Sequence, residues 1–351
     1  MPLDFLIIGQ GLAGSLLAWE LLRRGCKIML VDNGQENASQ VAAGLINPIT
    51  GMRWVKSPDI DYLLPAAISC YAALAAHFGQ VFYVEKPMLR IFQTAQEAHY
   101  CQKRQQDPDY LAYWQAPHST RPAPEPFAAP FGTVQQTQTG YLNTPALLAC
   151  LKDFFIRQGC YRQANVDYQA ISLAPVLHWQ GLSPQRIIFC EGYHALHNPW
   201  FAWLPFQPAK GEILTVRHSS TRLPDLIINK GHWLLPTSTQ QFRLGATFDR
   251  QNLDAQPTAA GKHALLAALQ ALTGGLASTM VIKHQANVRP CTLDKQPFIG
   301  LHPQWPQLAL FNGFGAKGSL QIPWYSQRFA DALLQGAPMP ADVLRYKALA
   351  G

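Results

Sequence analysis

Residues 3–32 set the terms for the rest of the chain. Leu3-Asp4-Phe5-Leu6-Ile7-Ile8 is a short apolar run suited to a buried parallel strand, and Gly9-Gln10-Gly11-Leu12-Ala13-Gly14 follows at once. An apolar-rich helix continues from Ser15 to Arg24, ended by Gly25 behind two arginines, where the helix dipole favours cations. Lys27 to Val31 is the next strand, with Asp32 at its carboxyl end. In such a unit the first glycine permits a tight turn, the second lets backbone amides approach a pyrophosphate, and the third lets helix and strand pack closely. The diphosphate rests on the helix N-terminus, where unpaired N–H groups and the positive dipole end converge. Asp32 lies 23 residues after Gly9, in position to accept hydrogen bonds from a ribose. A lone glycine triplet is weak evidence. Here strand, helix, second strand and acid follow in order, and they read as a dinucleotide site. No arginine closely follows Asp32, so a 2′-phosphate is disfavoured.

At 351 residues the chain exceeds the usual size of one core, so two domains are expected. The formal charge of +7 invites nucleic acid or an anionic membrane, but the basic residues are scattered and their longest runs are pairs such as Arg23-Arg24. A mildly basic, solvated surface is the plainer reading. The N-terminal apolar run is interrupted by glycines and has no basic stretch before it, which makes it a core strand rather than a signal peptide. No continuous apolar stretch of the ~18–20 residues a membrane span needs is expected. The seven cysteines are an odd number without CxxC spacing, as in a cytoplasmic protein with reduced, mostly buried thiols.

Small residues crowd Ala38 to Gly51, as if backbone packed against something flat. Further along, the pattern predicts a helix over 61–78, strands over 81–84 and 88–92, and a polar helix over 94–105. It also predicts an exposed proline-rich loop over 117–131 and a helix to Gln158 opened by Asn143 or Thr144 with Pro145. A buried strand over 186–190 ends at Gly192 and returns to the first sheet. Strands over 212–217, 231–236 and 242–247 belong to a second sheet, and a helix covers 258–272. A strand over 308–311 leads into a second glycine turn, Gly313 to Gly318, and a helix over 319–334. The two kinds of element alternate in blocks, so the domains interleave.

Together these pieces resemble the FAD-dependent oxidoreductases of the D-amino-acid oxidase and glycine oxidase family. The supports span nearly the whole chain: the N-terminal glycine unit with Asp32, the 39–48 loop, Ile187 to Gly192, Leu235-Pro236 with Gly245-Ala246-Thr247, Arg289-Pro290 with Asp294 and Pro297 to Gly300, and Gly313 to Gly318. The resemblance implies an α/β fold: a discontinuous Rossmann-like FAD-binding domain (residues 1–80, 142–198 and 288–351) with an interleaved α+β substrate domain on a mixed sheet (residues 81–141 and 199–287). Carried onto this chain, Gly9, Gly11, Leu12, Ala13, Gly14, Asp32 and Asn33 hold the ADP half of FAD. Ser39, Ala42, Ala43, Gly44 and Leu45 lie by the pyrophosphate and the isoalloxazine. Gly192, Gly313, Gly315, Ala316, Lys317, Gly318 and Ser319 lie toward the flavin, whose N1 and O2 the last helix would face with its positive end. Arg289 matches the arginine that grips a substrate carboxylate, a task suited to a bidentate fork, against the plainer alternative of a structural salt bridge. Trp233 falls where relatives carry a pocket aromatic, though it lacks a tyrosine's hydroxyl. Three departures stand out. Glu191 replaces a small residue and has no assigned role. Ala316 stands where some glycine oxidases have arginine. Cys291 is offset from the cysteine to which some relatives attach FAD, so noncovalent FAD is expected.

The implied chemistry is oxidation of a small amine or amino acid at a C–N bond, with hydride passing to flavin N5, hydrolysis of the imine and reoxidation by O2 or another acceptor. It needs orientation more than a side-chain base, and no firm catalytic side chain is assigned. Lys317 is a candidate for oxygen activation, with an exposed lysine as the plainer reading. Alternatives are a dehydrogenase using a quinone or a 2-hydroxy acid, a stand-alone oxidase of a carboxymethylaminomethyl uridine in tRNA, and a noncatalytic FAD-binding protein. The scattered charge speaks against the tRNA reading. His194 and His197 form no complete metal-ligand set, so no metal is expected, and no G-x-S-x-G elbow appears.

Overall fold

In the computed structural model, which describes residues 2–115, 123–218, 223–275 and 279–349, the N-terminal run forms strand β1 (Pro2–Ile8), buried on both faces. Phe5 and Ile7 enter one core while Leu6 and Ile8 enter another, as the two-residue period of a strand requires. Along the chain follow α1 (Leu12–Arg23), β2 (Ile28–Asp32), the one-turn α2 (Ala38–Val41), α3 (Ile60–Phe78), β3 (Met88–Ile91) and β4 (Thr133–Gln136). Then come α4 (Thr144–Arg157), β5 (Tyr161–Gln163), β6 (Ser183–Phe189), β7 (Ala209–His218), β8 (Ile227–Lys230), β9 (His232–Ser238) and β10 (Gln241–Gly245). Helix α5 (Ala259–Thr273), β11 (Thr279–Arg289), β12 (Phe298–Leu301), β13 (Leu308–Asn312) and α6 (Gly318–Gln335) complete the two layers.

The first sheet runs β5-β2-β1-β6-β13-β12, parallel throughout except for the β12–β13 pair. Its β6 strand does return to pair with β1, in register from Pro2 with Ser183 to Ile8 with Phe189. Helix α1 lies beside α6, and Arg24 fastens them: it bonds Glu20 Oε1 at 2.8 Å and Asp331 Oδ1 at 2.6 Å. The second sheet runs β11-β7-β10-β9-β8-β3-β4, antiparallel except between β8 and β3. One of its faces carries Leu214, Leu234, Phe242 and Leu244 onto Leu265 and Leu269 of α5. The opposite face carries Trp233 and Leu235 toward Ala43. A small sheet of Leu45–Ile46, Gly140–Leu142 and Tyr83–Glu85 joins the loop after α2 to the rest.

Local signals account for most helix ends. Asn143 caps α4 by accepting from Ala146 N at 3.3 Å, and Thr258 caps α5 by accepting from Gly261 N at 2.9 Å. The structure differs from the sequence reading in several places. The strand expected at 81–84 begins at Tyr83, because Phe82 turns into the core. The expected loop over 117–131 lies partly outside the described residues, and in its described part Phe127 is buried against the second sheet rather than exposed. Strands β4, β5, β8, β11 and β12 were not anticipated. Helix α3, despite the expectation that no membrane-length apolar stretch exists, is long and apolar enough by composition to cross a bilayer; here it packs along α6, with Tyr71 Oη donating to Ser319 O at 2.6 Å.

The helix–strand contact at the start of the chain is the tightest point of the first layer, since a methyl on Gly14 would fall 1.9 Å from Gly9 O. Gly25, at φ +80, has nothing within 4 Å of the equivalent position. Gly14→Ala is therefore expected to cost about 3 kcal/mol or more through forced separation of helix and strand. Gly25→Ala is expected to cost only about 1–2 kcal/mol of backbone strain. Urea unfolding of the two variants checks the order.

Candidate cofactor and substrate site

The parallel strands β1, β6 and β13 bring their carboxyl ends to one edge of the first sheet, where ligands sit in open α/β sheets. Gly9, at φ +105, passes so close to β6 that a methyl on it would lie 2.5 Å from Cys190 O. Asn312, almost wholly buried, donates from Nδ2 to Gly192 O at 2.8 Å and accepts from Gly313 N at 2.9 Å. The three segments expected around a cofactor, 9–14, 192 and 313–318, are thus joined. The sequence reading missed Asn312, although an asparagine closing an apolar strand was a usable signal.

At the other side of β1, Asp32 is already oriented. Its Oδ2 accepts from Gln10 N at 2.8 Å and its Oδ1 from Gly34 N at 2.7 Å, leaving each oxygen a second acceptor position. Asn33 is exposed and accepts from Gln35 N at 2.9 Å. Gly11 begins α1 without a side-chain cap of its own, and Ser39 Oγ accepts from Leu12 N at 3.0 Å. A methyl on Gly11 would meet only that Oγ, at 3.4 Å, so the space over the helix N-terminus is open to an anion.

The loop after α2 is held from two directions. Below, Gly44 sits at φ +69, and a methyl there would lie 2.0 Å from Leu142 O. Above, Arg243 of β10 donates from Nη1 to Ala42 O at 2.9 Å and from Nη2 to Val41 O. Burial lowers the pKa of Arg243, with Glu36 opposing. Glu36 also receives Gln285 Nε2 at 2.7 Å, and its carbonyl receives Asn287 Nδ2 at 3.1 Å, which ties β11 to the same region. Sequence reasoning did not single out Arg243. A cleft of about 550 Å³ opens nearby, lined by Glu36, Gln40, Ala43, Asn143, Arg243 and Gln285 among others, and of the expected site residues it touches only Ala43.

Arg289 ends β11, half-buried, with its guanidinium over Gly211, where a methyl would fall 1.9 Å from Nη2. Its partners are carbonyls, Lys210 O at 3.4 Å and Thr247 O at 3.2 Å, and among the described residues it makes no ion pair with a carboxylate. The structural salt bridge considered for it is absent there, and burial lowers its pKa. Trp233, opposite Gly245 in register, packs with Ala43, Met88 and Leu235 near Leu45 and Tyr141. Gly315 N donates to Pro290 O at 3.2 Å, so the C-terminal glycine turn docks on the Arg289 segment. Helix α6 begins at that turn with no side-chain cap. Gly318 and buried Ser319 form its first turn, while Ala316 is exposed. Lys317 is half-buried rather than exposed: Nζ donates to Ser57 Oγ at 3.1 Å, and burial, then Lys295, lower its pKa.

Glu191, which had no role, closes a half-buried polar cluster around buried Asn198. Its Oε1 accepts from Tyr168 Oη at 2.8 Å and its Oε2 from Asn198 Nδ2 at 2.9 Å. Burial lifts its pKa to about 7 against the pull of Asn198 and Tyr168. His194 and His197 lie exposed on the following 3-10 turn.

A mainly parallel sheet with a glycine turn at its carboxyl edge, beside a mixed sheet presenting an arginine with no carboxylate partner among the described residues, defines a two-layer dinucleotide-cofactor enzyme. The model of the DAO family, FAD dependent oxidoreductase, matches residues 4–332, and the chain belongs to that family. FAD is accordingly its cofactor. The glycine oxidase of Pseudomonas aeruginosa is 24% identical over 361 residues, covering 95% of each chain. A tRNA 5-methylaminomethyl-2-thiouridine biosynthesis bifunctional protein of Hahella chejuensis is 24% identical over 378 residues, 97% of this chain and 58% of that one. Among solved structures, glycine oxidase from Geobacillus kaustophilus has a TM-score of 0.81 at 20% identity, covering 98% of each chain. Iminodiacetate oxidase from Chelativorans sp. BNC1 has a TM-score of 0.79 at 21% identity, also covering 98% of each. The residues present fit FAD: an open helix N-terminus at Gly11, an oriented acid at Asp32, and an uncapped α6 behind a glycine turn.

Two outcomes are expected. Arg243→Gln removes one leg of the clamp on Val41 and Ala42 and should weaken FAD retention about tenfold or more, read by flavin release on dilution. Glu191 holds a proton in the folded protein that the unfolded chain has released above the ordinary carboxyl range, so stability falls as pH rises through that range toward 7. The melting temperature should decline from about pH 5 to about pH 8, and Glu191→Gln should flatten that slope.

Proposed function

We propose that the protein oxidises the C–N bond of a small amine or amino acid that carries a carboxylate. The observation that supports this most is Arg289, a half-buried guanidinium whose hydrogen-bond partners among the described residues are two backbone carbonyls at long range and no carboxylate. An arginine fork in that state matches an incoming carboxylate in two parallel hydrogen bonds. FAD, held noncovalently, supplies the hydride acceptor when bound.

The chain's own residues bind and orient. The α1 N-terminus with Ser39 takes the diphosphate, and Asp32 takes the ribose. The backbone from Ala42 to Leu45 lies along the isoalloxazine, and the N-terminus of α6 with Gly313 and Gly315 faces its pyrimidine end, where the positive end of a helix favours negative charge. Arg289 fixes the substrate carboxylate, and Trp233 walls the pocket and keeps water from it. Gly211 and Gly245 leave the room these two side chains occupy. The imine product hydrolyses in water, and the two electrons taken from the amine end on dioxygen as hydrogen peroxide. Seven free cysteines favour a reducing compartment. The Hahella relative favours a second reading, oxidation of a modified uridine in tRNA, which salt-sensitive tRNA binding would reveal.

Anaerobic titration of the purified holoenzyme with glycine, N-methylglycine and D-alanine tests the proposal. Bleaching of the flavin absorbance, reversed by air with release of peroxide, is expected; a flavin that no amine bleaches would overturn it. Arg289→Met should lower kcat/KM about a hundredfold or more, by removing one member of a desolvated charge pair.

A further inference from the structure

A second guanidinium stands beside Arg289. Phe248 follows β10 by three residues and is 61% exposed, a large apolar ring left in solvent. The guanidinium carbon of Arg289 lies 5.8 Å from its centroid and that of Arg250 lies 5.4 Å from it. The distance between the two cations therefore cannot exceed the total of those two lengths. Both also act on Cys291, whose thiol burial pushes up and the two arginines pull back.

Nothing acidic on the same loop answers them. The Asp249 carboxylate is turned onto Gln251 N at 2.7 Å and Asn252 Nδ2 at 2.8 Å, and Asp254 is committed to Lys210 Nζ at 2.6 Å. Among the described residues neither Arg250 nor Arg289 pairs with a carboxylate. Two like charges held near one ring repel each other, and a molecule bringing two negative charges relieves both at once. The exposed ring close to both suits the methylene carbons of such a molecule.

We propose that the substrate is an amine carrying two carboxylates, with Arg289 taking the one beside the reacting carbon and Arg250 the other. This rests on the reading of Arg289 given above and adds a specificity-determining residue to it. Arg250 is exposed, so its contribution is modest and salt-sensitive.

Carboxylates without an amine bind without reacting, so the holoenzyme can be titrated with acetate and propionate against malonate and succinate, following the flavin spectrum. The best dicarboxylate should bind about fivefold or more tighter than the monocarboxylates, less so at high salt. In Arg250→Gln that ratio should approach one, and the KM ratio of N-methylglycine to iminodiacetate should fall with it. Equal binding by both classes in the unaltered enzyme, or a ratio that survives in Arg250→Gln, overturns the inference while the amine-oxidase reading stands. If no carboxylate perturbs the flavin, both fall. If tRNA displaces acetate while dicarboxylates gain nothing, the second anion is a phosphate and the dicarboxylate assignment is overturned.

Discussion

The five residues from Val41 to Leu45 have almost no freedom, and the rest of the molecule is arranged around that restriction. Gly44 is pressed on Leu142 O in a conformation that strains any other residue, while the fork of Arg243 grips the carbonyls of Val41 and Ala42. The loop belongs in sequence to the first layer, and the arginine belongs to the second sheet. One hydrogen-bonded clamp therefore fixes both the loop and the spacing between the layers. Its anchorage is supported by the three antiparallel strands that hold Arg243, Trp233 and Gly245 in register.

The two half-buried arginines of that sheet differ in how much of their hydrogen-bonding capacity the protein takes up. Both have their pKa lowered by burial, and both find backbone carbonyls as acceptors. Arg243 spends its fork on two adjacent carbonyls of one loop. The contacts of Arg289, at 3.4 and 3.2 Å, lie at the long end for hydrogen bonds and leave most of its five donors unspent. Gly211 beneath it, and Gly245 beneath Trp233, are the complement of this arrangement: each leaves the room that the side chain occupies.

The sequence was most readable where the relevant contacts are local. The Gly9 to Gly14 turn, the Asn143 and Thr258 caps and the β1–α1–β2 unit follow from neighbours a few residues apart. Arg243 was illegible because its partners lie 201 and 202 residues away. Strand β11 escaped because it is an edge: Met280 and Ile282 remain exposed, so the apolar alternation that marks a half-buried strand is blurred. Phe127 misled for the opposite reason, since its proline-rich surroundings read as surface while the ring fills the second sheet's core. Glu191 had no motif to explain it; only the fold brings Tyr168 and Asn198 to its two oxygens. The match to a flavin enzyme came from resemblance across many short motifs, each weak alone.

The bond between Arg24 and Asp331 joins residues 307 positions apart, the first helix to the last. The glycine turn from Gly9 to Gly14 and the one from Gly313 to Gly318 are likewise separated by about 300 residues of chain. During synthesis the first turn must therefore wait for the second until the residues between them have left the ribosome. In the arrangement proposed for the cofactor, a chain cut short before α6 would keep a nucleotide shelf with no far wall.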